Sequence, residues 1–155
     1  MPEAYPEHLE AGTQNLAGIA ALNAGVQYVL SHQKAIVEKE HFLLQKLYEG
    51  LTGDVEFYSS LENSTPIVAL NIPGKDSAYV SDLLNYKYGI VTRCGAHCAP
   101  LMHKHLKTEE QGIVRLSVSF QNTIEDVDFV VRAIRRFQMI ISVIGSGGKQ
   151  RISVS

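Results

Sequence analysis

The hydrophobic positions of this chain change period several times, and each change marks an element. Ile19, Leu22, Val26, Val29 and Leu30 recur at helical spacing after a lead-in, residues 1–15, broken by Pro2, Pro6 and Gly12. Thr13 or Asn15 can cap that helix. A second helical pattern over 33–51 uses Ile36, Leu43, Leu44, Leu47 and Leu51, with Gly50 and Gly53 at its end. Val55 and Phe57 then alternate with Asp54 and Glu56, which predicts a strand. After the turn Asn63-Ser64-Thr65-Pro66 come a short apolar strand, Ile67 to Ile72, and the stop Pro73-Gly74. Residues 76–86 read as a helix, Gly89 to Thr92 as a strand, and 99–106 as a short helix. From 112 to 119 the alternation is clean, with Val114, Leu116 and Val118 on one face and Arg115, Ser117 and Ser119 on the other. Thr123-Ile-Glu-Asp126 resembles a capping box, and it opens a helix carrying Val127, Val130, Val131, Ile134 and Phe137 inward. The order predicts an α/β (α+β) sandwich: a small, mainly antiparallel sheet of about four strands covered by helices. Residues 16–137 form the domain. Residues 138–155 are a tail, either a hairpin or disordered, and there is no internal repeat.

Composition narrows the class. With 155 residues, 45% of them apolar, the chain suits one domain with a real core. A net charge of -2 gives no basic excess for nucleic acid or an anionic membrane. No apolar run reaches the roughly 18 residues of a membrane span. The acidic, polar start is no signal peptide. The two cysteines, Cys94 and Cys98, are too close for a structural disulfide of ordinary loop size, which favours free thiols in a reducing, cytoplasmic setting.

Candidate chemistry concentrates in Arg93-Cys-Gly-Ala-His-Cys98-Ala-Pro-Leu-Met-His-Lys-His105. Metal binding by Cys94, His97, Cys98, His103 and His105 is one reading, but zinc sites usually pair two ligand knuckles well separated in sequence, and here all five crowd into one segment. A polar loop with a buried cysteine is the bland reading. The third is a reactive thiol: Cys98 has His97 beside it, Arg93 five residues back, and a helix start at Ala99-Pro100, surroundings of the kind that favour a nucleophilic sulfur.

Three segments together are similar to one family. Arg93-x-Gly95-x-His97-Cys98-Ala99-x-Leu resembles the nucleophilic-cysteine loop of cysteine desulfurases and selenocysteine lyases, in the class V aminotransferase family of pyridoxal-phosphate enzymes. Gly112-Ile-Val-Arg115-Leu-Ser-x-Ser-Phe-x-Asn122-Thr123 resembles that family's next strand and helix start. Glu10-Ala-Gly-Thr13-x-Asn15-x-x-Gly18-Ile19 resembles its passage from large to small domain. Gln14, Cys94 and Gln121 depart from the usual pattern. The resemblance implies the fold of that family's C-terminal small domain. It also implies removal of sulfur or selenium from L-cysteine or selenocysteine to give alanine, with pyridoxal phosphate as electron sink. In that scheme Cys98 is the persulfide-forming nucleophile, His97 beside it is the second catalytic residue, and Arg115 holds the substrate α-carboxylate through its guanidinium fork with Arg93 as a second substrate-binding residue. Thr13 reaches the cofactor phosphate across a homodimer interface. Taken without the motifs, Arg115 reads as a surface ion-pair residue and Thr13 as an N-cap.

The cofactor-binding large domain of the family has no counterpart here. Ser31-His-Gln-Lys34 imitates the Schiff-base motif, but it follows the Glu10–Ile19 segment instead of preceding it, and Lys34 reads as a solvated residue between helices. Gly145-Ser-Gly-Gly-Lys149 lacks P-loop spacing. The chain therefore reads as a fragment or truncated product that does not by itself hold the cofactor. Ile19, Leu22 and Val26 are then expected to be exposed and to promote association, and Arg115 and Cys98 to share one side of the domain. The alternative is a non-catalytic sulfur-carrier or dimerisation module. Nothing here separates the possible amino acid substrates.

Overall fold

In the computed structural model, residues 3–9, 12–62 and 65–146 are described, with side chains to 138. The elements are α1 (Leu16–Leu51), β1 (Glu56–Phe57), β2 (Ile67–Asn71), α2 (Ser77–Tyr88), α3 (Pro100–Leu106), β3 (Val114–Ser117) and α4 (Ile124–Ser146), after a 3-10 turn at Glu7–Leu9. The chain divides into two units, residues 1–37 and 38–155, and α1 contributes to both.

In residues 1–37, Asn15 is the cap of α1: its Oδ1 accepts from Gly18 N at 2.9 Å. Gly18 is what lets that side chain fold over the first turn, because a Cβ there would meet Asn15 Nδ2 at 2.5 Å. The two predicted helices are one helix of 36 residues, about 54 Å long. Nothing between 30 and 35 can stop it: Ser31-His-Gln-Lys-Ala contains no Gly or Pro, and Ser31 Oγ donates to the Gln27 carbonyl within the helix. Ile19, Leu22 and Val26 are 52%, 68% and 45% exposed.

Residues 38–155 hold the core. Leu43, Leu44, Leu47 and Leu51 of α1 recur at helical spacing and are buried. They join Val68 and Leu70 of β2, Val80 and Leu84 of α2, Val114 and Leu116 of β3, and Val127, Val131, Ile134 and Phe137 of α4. Gly50 is a contact and not a helix stop, since a Cβ there would meet the Val131 side chain at 2.6 Å. Gly53, at φ 87°, makes the turn after the helix. Asp76 Oδ1 caps α2 through Ala78 N and Tyr79 N, and Gly89 ends it in the left-handed region. Thr123 and Asp126 cap α4 reciprocally: Thr123 N donates to Asp126 Oδ2 at 3.0 Å, and Asp126 N donates to Thr123 Oγ1 at 3.2 Å.

The sheet is antiparallel, in the order β1-β2-β3. Val68 pairs with Leu116 and Leu70 with Val114, so these four share the core face, while Ala69 and Arg115 pair on the other. The sheet has three strands where four were expected. The Gly89–Thr92 segment forms no strand, and the residue after it, Arg93, makes one isolated bridge with Arg115. The segment's backbone is drawn to α2 instead of to a ladder: Ser81 Oγ donates to the Thr92 carbonyl at 3.4 Å and Thr92 Oγ1 to Ser81 Oγ at 2.7 Å. Met139–Ile144, read as the start of a hairpin or disordered tail, continues α4 to Ser146; residues 147–155 lie outside the described residues, as do Asn63 and Ser64 of the predicted turn.

Candidate active site

Two neighbouring pieces of backbone position the candidate residues of the second unit. The first is the bridge. Arg93 N donates to Arg115 O at 3.1 Å and Arg115 N to Arg93 O at 2.7 Å, so the two residues are directly opposed and their side chains leave the same face. That face is the one opposite Val114 and Leu116. Arg115 is half-buried and its Nε is shut off from solvent without a hydrogen-bond partner. A buried, unpartnered donor on a permanent cation is unfavourable by itself, and a carboxylate is the group whose geometry answers it. The surface ion-pair reading of Arg115 finds no carboxylate partner among the described ion pairs.

The second piece is the loop 94–99. Gly95 N donates to Ser77 Oγ at 3.2 Å, and Gly95 O accepts from Ile113 N at 3.2 Å. Gly112 permits this approach: at φ 67°, a Cβ on it would meet Ser77 Oγ at 2.4 Å and Gly95 Cα at 2.8 Å. His97 and Cys98 follow with φ 50° and 60°, two consecutive left-handed residues that both carry a Cβ. Each such residue costs on the order of 1 kcal/mol or more, so the turn persists because its surroundings impose it. His97 Nε2 donates to the Ile113 carbonyl at 2.9 Å, while its Nδ1 is buried without a partner. The turn closes with Ala99 N on Ala96 O at 2.9 Å, and α3 begins at Pro100. Cys98 is exposed and free, and Cys94 is free and half-buried.

The other sequence candidates take different roles, although the His103 ring lies 6.2 Å from that of His97. His103 is 3% exposed and spends Nδ1 on Thr108 Oγ1 at 2.9 Å, which makes it a core histidine closing α3. Among the described residues no group of three or more His, Cys, Asp or Glu side chains is placed to hold a metal ion. Thr13 lies in the first unit, exposed, two residues before the cap; since Asn15 does the capping, its hydroxyl is not committed to that role. Lys34 is exposed within α1, not between two helices. Sequence reasoning missed the residues that fix the site from behind. Asn71, 1% exposed, donates through Nδ2 to Gly112 O at 2.8 Å and accepts from Val114 N at 3.3 Å. Gln111 donates to the Lys75 carbonyl at 2.7 Å. Asn71 had a visible signal: it is an amide inside the apolar run Ile67–Ile72, and a buried amide requires partners.

Among the described residues, the contact to pyridoxal phosphate that the side chains fit is one to its phosphate. Thr13 offers an exposed hydroxyl three residues before α1 begins, able to donate to a phosphate oxygen. No helix among the described residues is long and apolar enough to cross a membrane.

The second unit thus combines a three-stranded antiparallel sheet and helices with an opposed arginine pair and an exposed thiol on a strained turn. The profile of the aminotransferase class-V family matches residues 2–130, and the chain belongs to that family. It is 31% identical to a protein of Methanothermobacter thermautotrophicus described as a probable cysteine desulfurase, over 83% of this chain and 33% of that protein. It is 33% identical to the cysteine desulfurase of an Escherichia coli strain, over 88% of this chain and 33% of the relative. Among solved structures, the apo cysteine desulfurase of Thermococcus onnurineus superposes with a TM-score of 0.74 at 32% identity, covering 85% of this chain and 33% of that one. The chain thus spans about a third of the length of the relatives it matches.

Proposed function

We propose that this chain supplies the nucleophile and the substrate carboxylate clamp of a cysteine desulfurase or selenocysteine lyase-like enzyme. The observation that carries the reading is the Arg93–Arg115 bridge, with Arg115 Nε buried and unpartnered. Arg115 binds the α-carboxylate of L-cysteine, and Arg93, opposite it, adds a second positive charge. Cys98, exposed on its turn, attacks the substrate sulfur. A sulfur–sulfur bond forms and the carbon–sulfur bond breaks. The electron pair of the broken bond stays with the substrate carbon, which takes up a proton, so that L-cysteine and the Cys98 thiol give alanine and a Cys98 persulfide without an external oxidant or reductant. Pyridoxal phosphate, when bound, supplies the electron sink that makes the substrate carbon able to keep that pair. Thr13 contributes a contact to its phosphate. The functional assembly is a homodimer in the cytoplasm, and the remaining ligands of the cofactor come from outside this chain. Selenocysteine is the alternative substrate of the same clamp.

The test uses the full protein loaded with pyridoxal phosphate. L-cysteine should release alanine and leave one added sulfur atom on Cys98 by peptide mass mapping. Cys98→Ala should remove the added sulfur, and Arg115→Lys should raise KM at least about tenfold, since an ammonium cannot reproduce the bidentate fork. Sulfur appearing on Cys94 instead would overturn the assignment. Cys98 accepting sulfur from another persulfide but never from L-cysteine would favour the non-catalytic carrier.

A further inference from the structure

We infer that His97 is a positioning residue for Cys98, acting through its Nε2–H bond to the Ile113 carbonyl, which straps the thiol-bearing turn to the start of β3. The inference rests on the desulfurase reading above and assigns one residue's part in it. The Ile113 carbonyl can only accept, so the ring carries its proton on Nε2 and directs it at backbone, 2.9 Å away. The other nitrogen, Nδ1, is buried and has no partner. Nε2 is therefore committed to the backbone, and Nδ1 is shut off from solvent. The ring instead does mechanical work. Gly95 is held at both its N–H and its carbonyl, and Ala99 is held by Ala96 and by α3. Between these anchors lie His97 and Cys98, both left-handed, a conformation that a free turn of such residues would leave. The His97 side chain is the tie that runs from this stretch to β3. Ile113 thus serves the loop twice, giving its N–H to Gly95 and its carbonyl to His97. Since Ile113 is two residues before Arg115, the strap sets the place of the thiol with respect to the residue that clamps the substrate.

Two substitutions separate this role from acid–base chemistry. His97→Gln keeps an N–H donor at nearly the reach of Nε2. His97→Asn is too short for the Ile113 carbonyl, yet asparagine tolerates the left-handed region, so its loss reports the strap and not the backbone. The readout is the alkylation of Cys98 by iodoacetate relative to iodoacetamide, with Cys94 in the same molecule as reference. A thiol held near the arginine pair favours the anionic reagent by roughly threefold or more at low salt, and the preference fades as salt rises. That preference should survive His97→Gln and disappear in His97→Asn. Amide exchange at Cys98 and Ala99 should quicken in the Asn variant and stay at the wild-type rate in the Gln variant. Loss of the preference in both variants, or in neither, overturns the strap. If the wild type shows no preference, exchange decides: equal rates in the two variants overturn it, and quickening in the Asn variant alone upholds it. Arg115→Gln tests the underlying reading separately. A preference that persists there while following the strap in the His97 variants sinks the carboxylate clamp and leaves the strap standing. One that falls there but ignores His97→Asn does the reverse.

Discussion

The two parts of α1, residues 16–37 and 38–51, are both rich in leucine, isoleucine and valine but meet different surroundings. Leu43, Leu44 and Leu47 are between 1% and 2% exposed, whereas Leu22, Val29 and Leu30 are between 50% and 68% exposed. Helical periodicity is the same physical requirement in both, so apolar content alone does not say what a helix packs against. The burial of the second half comes from β2, β3 and α4, which return to it from distant parts of the chain. The first half carries one charged side chain, Lys34, between Leu16 and Val37. That composition suits a helix covered on more than one side.

Equal substitutions in the two halves are the sharpest way to break this comparison. Leu47→Ala should destabilise the chain by about 2–5 kcal/mol, through lost transfer free energy and the cavity it leaves. Leu22→Ala should stay within about 0.5 kcal/mol. Denaturant midpoints measure both, and equal losses would mean that the first half is buried in solution. A second pair compares glycines of like backbone. Gly112 and Gly74 have φ 67° and 70°, but only Gly112 is crowded, by Ser77 and Gly95. Gly112→Ala should lose roughly 3 kcal/mol, from the left-handed backbone and the clash together, and Gly74→Ala only about 1 kcal/mol. Cys98 should also react with iodoacetamide several-fold faster than Cys94, in line with their exposure, and Gly112→Ala should narrow that gap by displacing the loop. Mass mapping of timed samples reads this.

The smallest effect concerns the start of α4. Thr123→Ala should cost about 1 kcal/mol. The Thr123 backbone N–H, and then the Asn122 side chain, hold the exposed Asp126 carboxylate below its ordinary range. A depressed folded-state value means stability that is present above the unfolded value and lost as pH falls through the folded one. Asp126→Asn should therefore flatten the acid limb of a stability–pH curve slightly, while leaving neutral pH to report only the cap. An unchanged limb would show that the carboxylate gains nothing from its bonds.

Much of the fold could be read along the chain because its signals are local. Asp76 opens α2, Thr123 and Asp126 open α4, and Val114-Arg-Leu alternates by the period of a strand. The candidate site was legible to the same extent. The Arg93–Ala99 segment carries its unusual residues within seven positions, and Arg115 betrays itself by standing between two buried neighbours. The fourth strand misled because a short strand-like run says nothing of where a carbonyl bonds, and Ser81 of the preceding helix donates to the Thr92 carbonyl. The join within α1 misled for a related reason: a shift in which face is apolar looks like two helices, although no residue there can end one. The opposition of Arg93 to Arg115, the tie from His97 to Ile113 and the clamp of Asn71 on Gly112 join residues between 16 and 41 positions apart in the chain, with Asn71 reaching Val114 across 43. Periodicity and capping act over a few residues, so the sequence by itself determined the elements and the candidates. Only the tertiary structure could decide which of them face one another, because hydrogen-bond geometry and close packing depend on distance in space and not on distance along the chain.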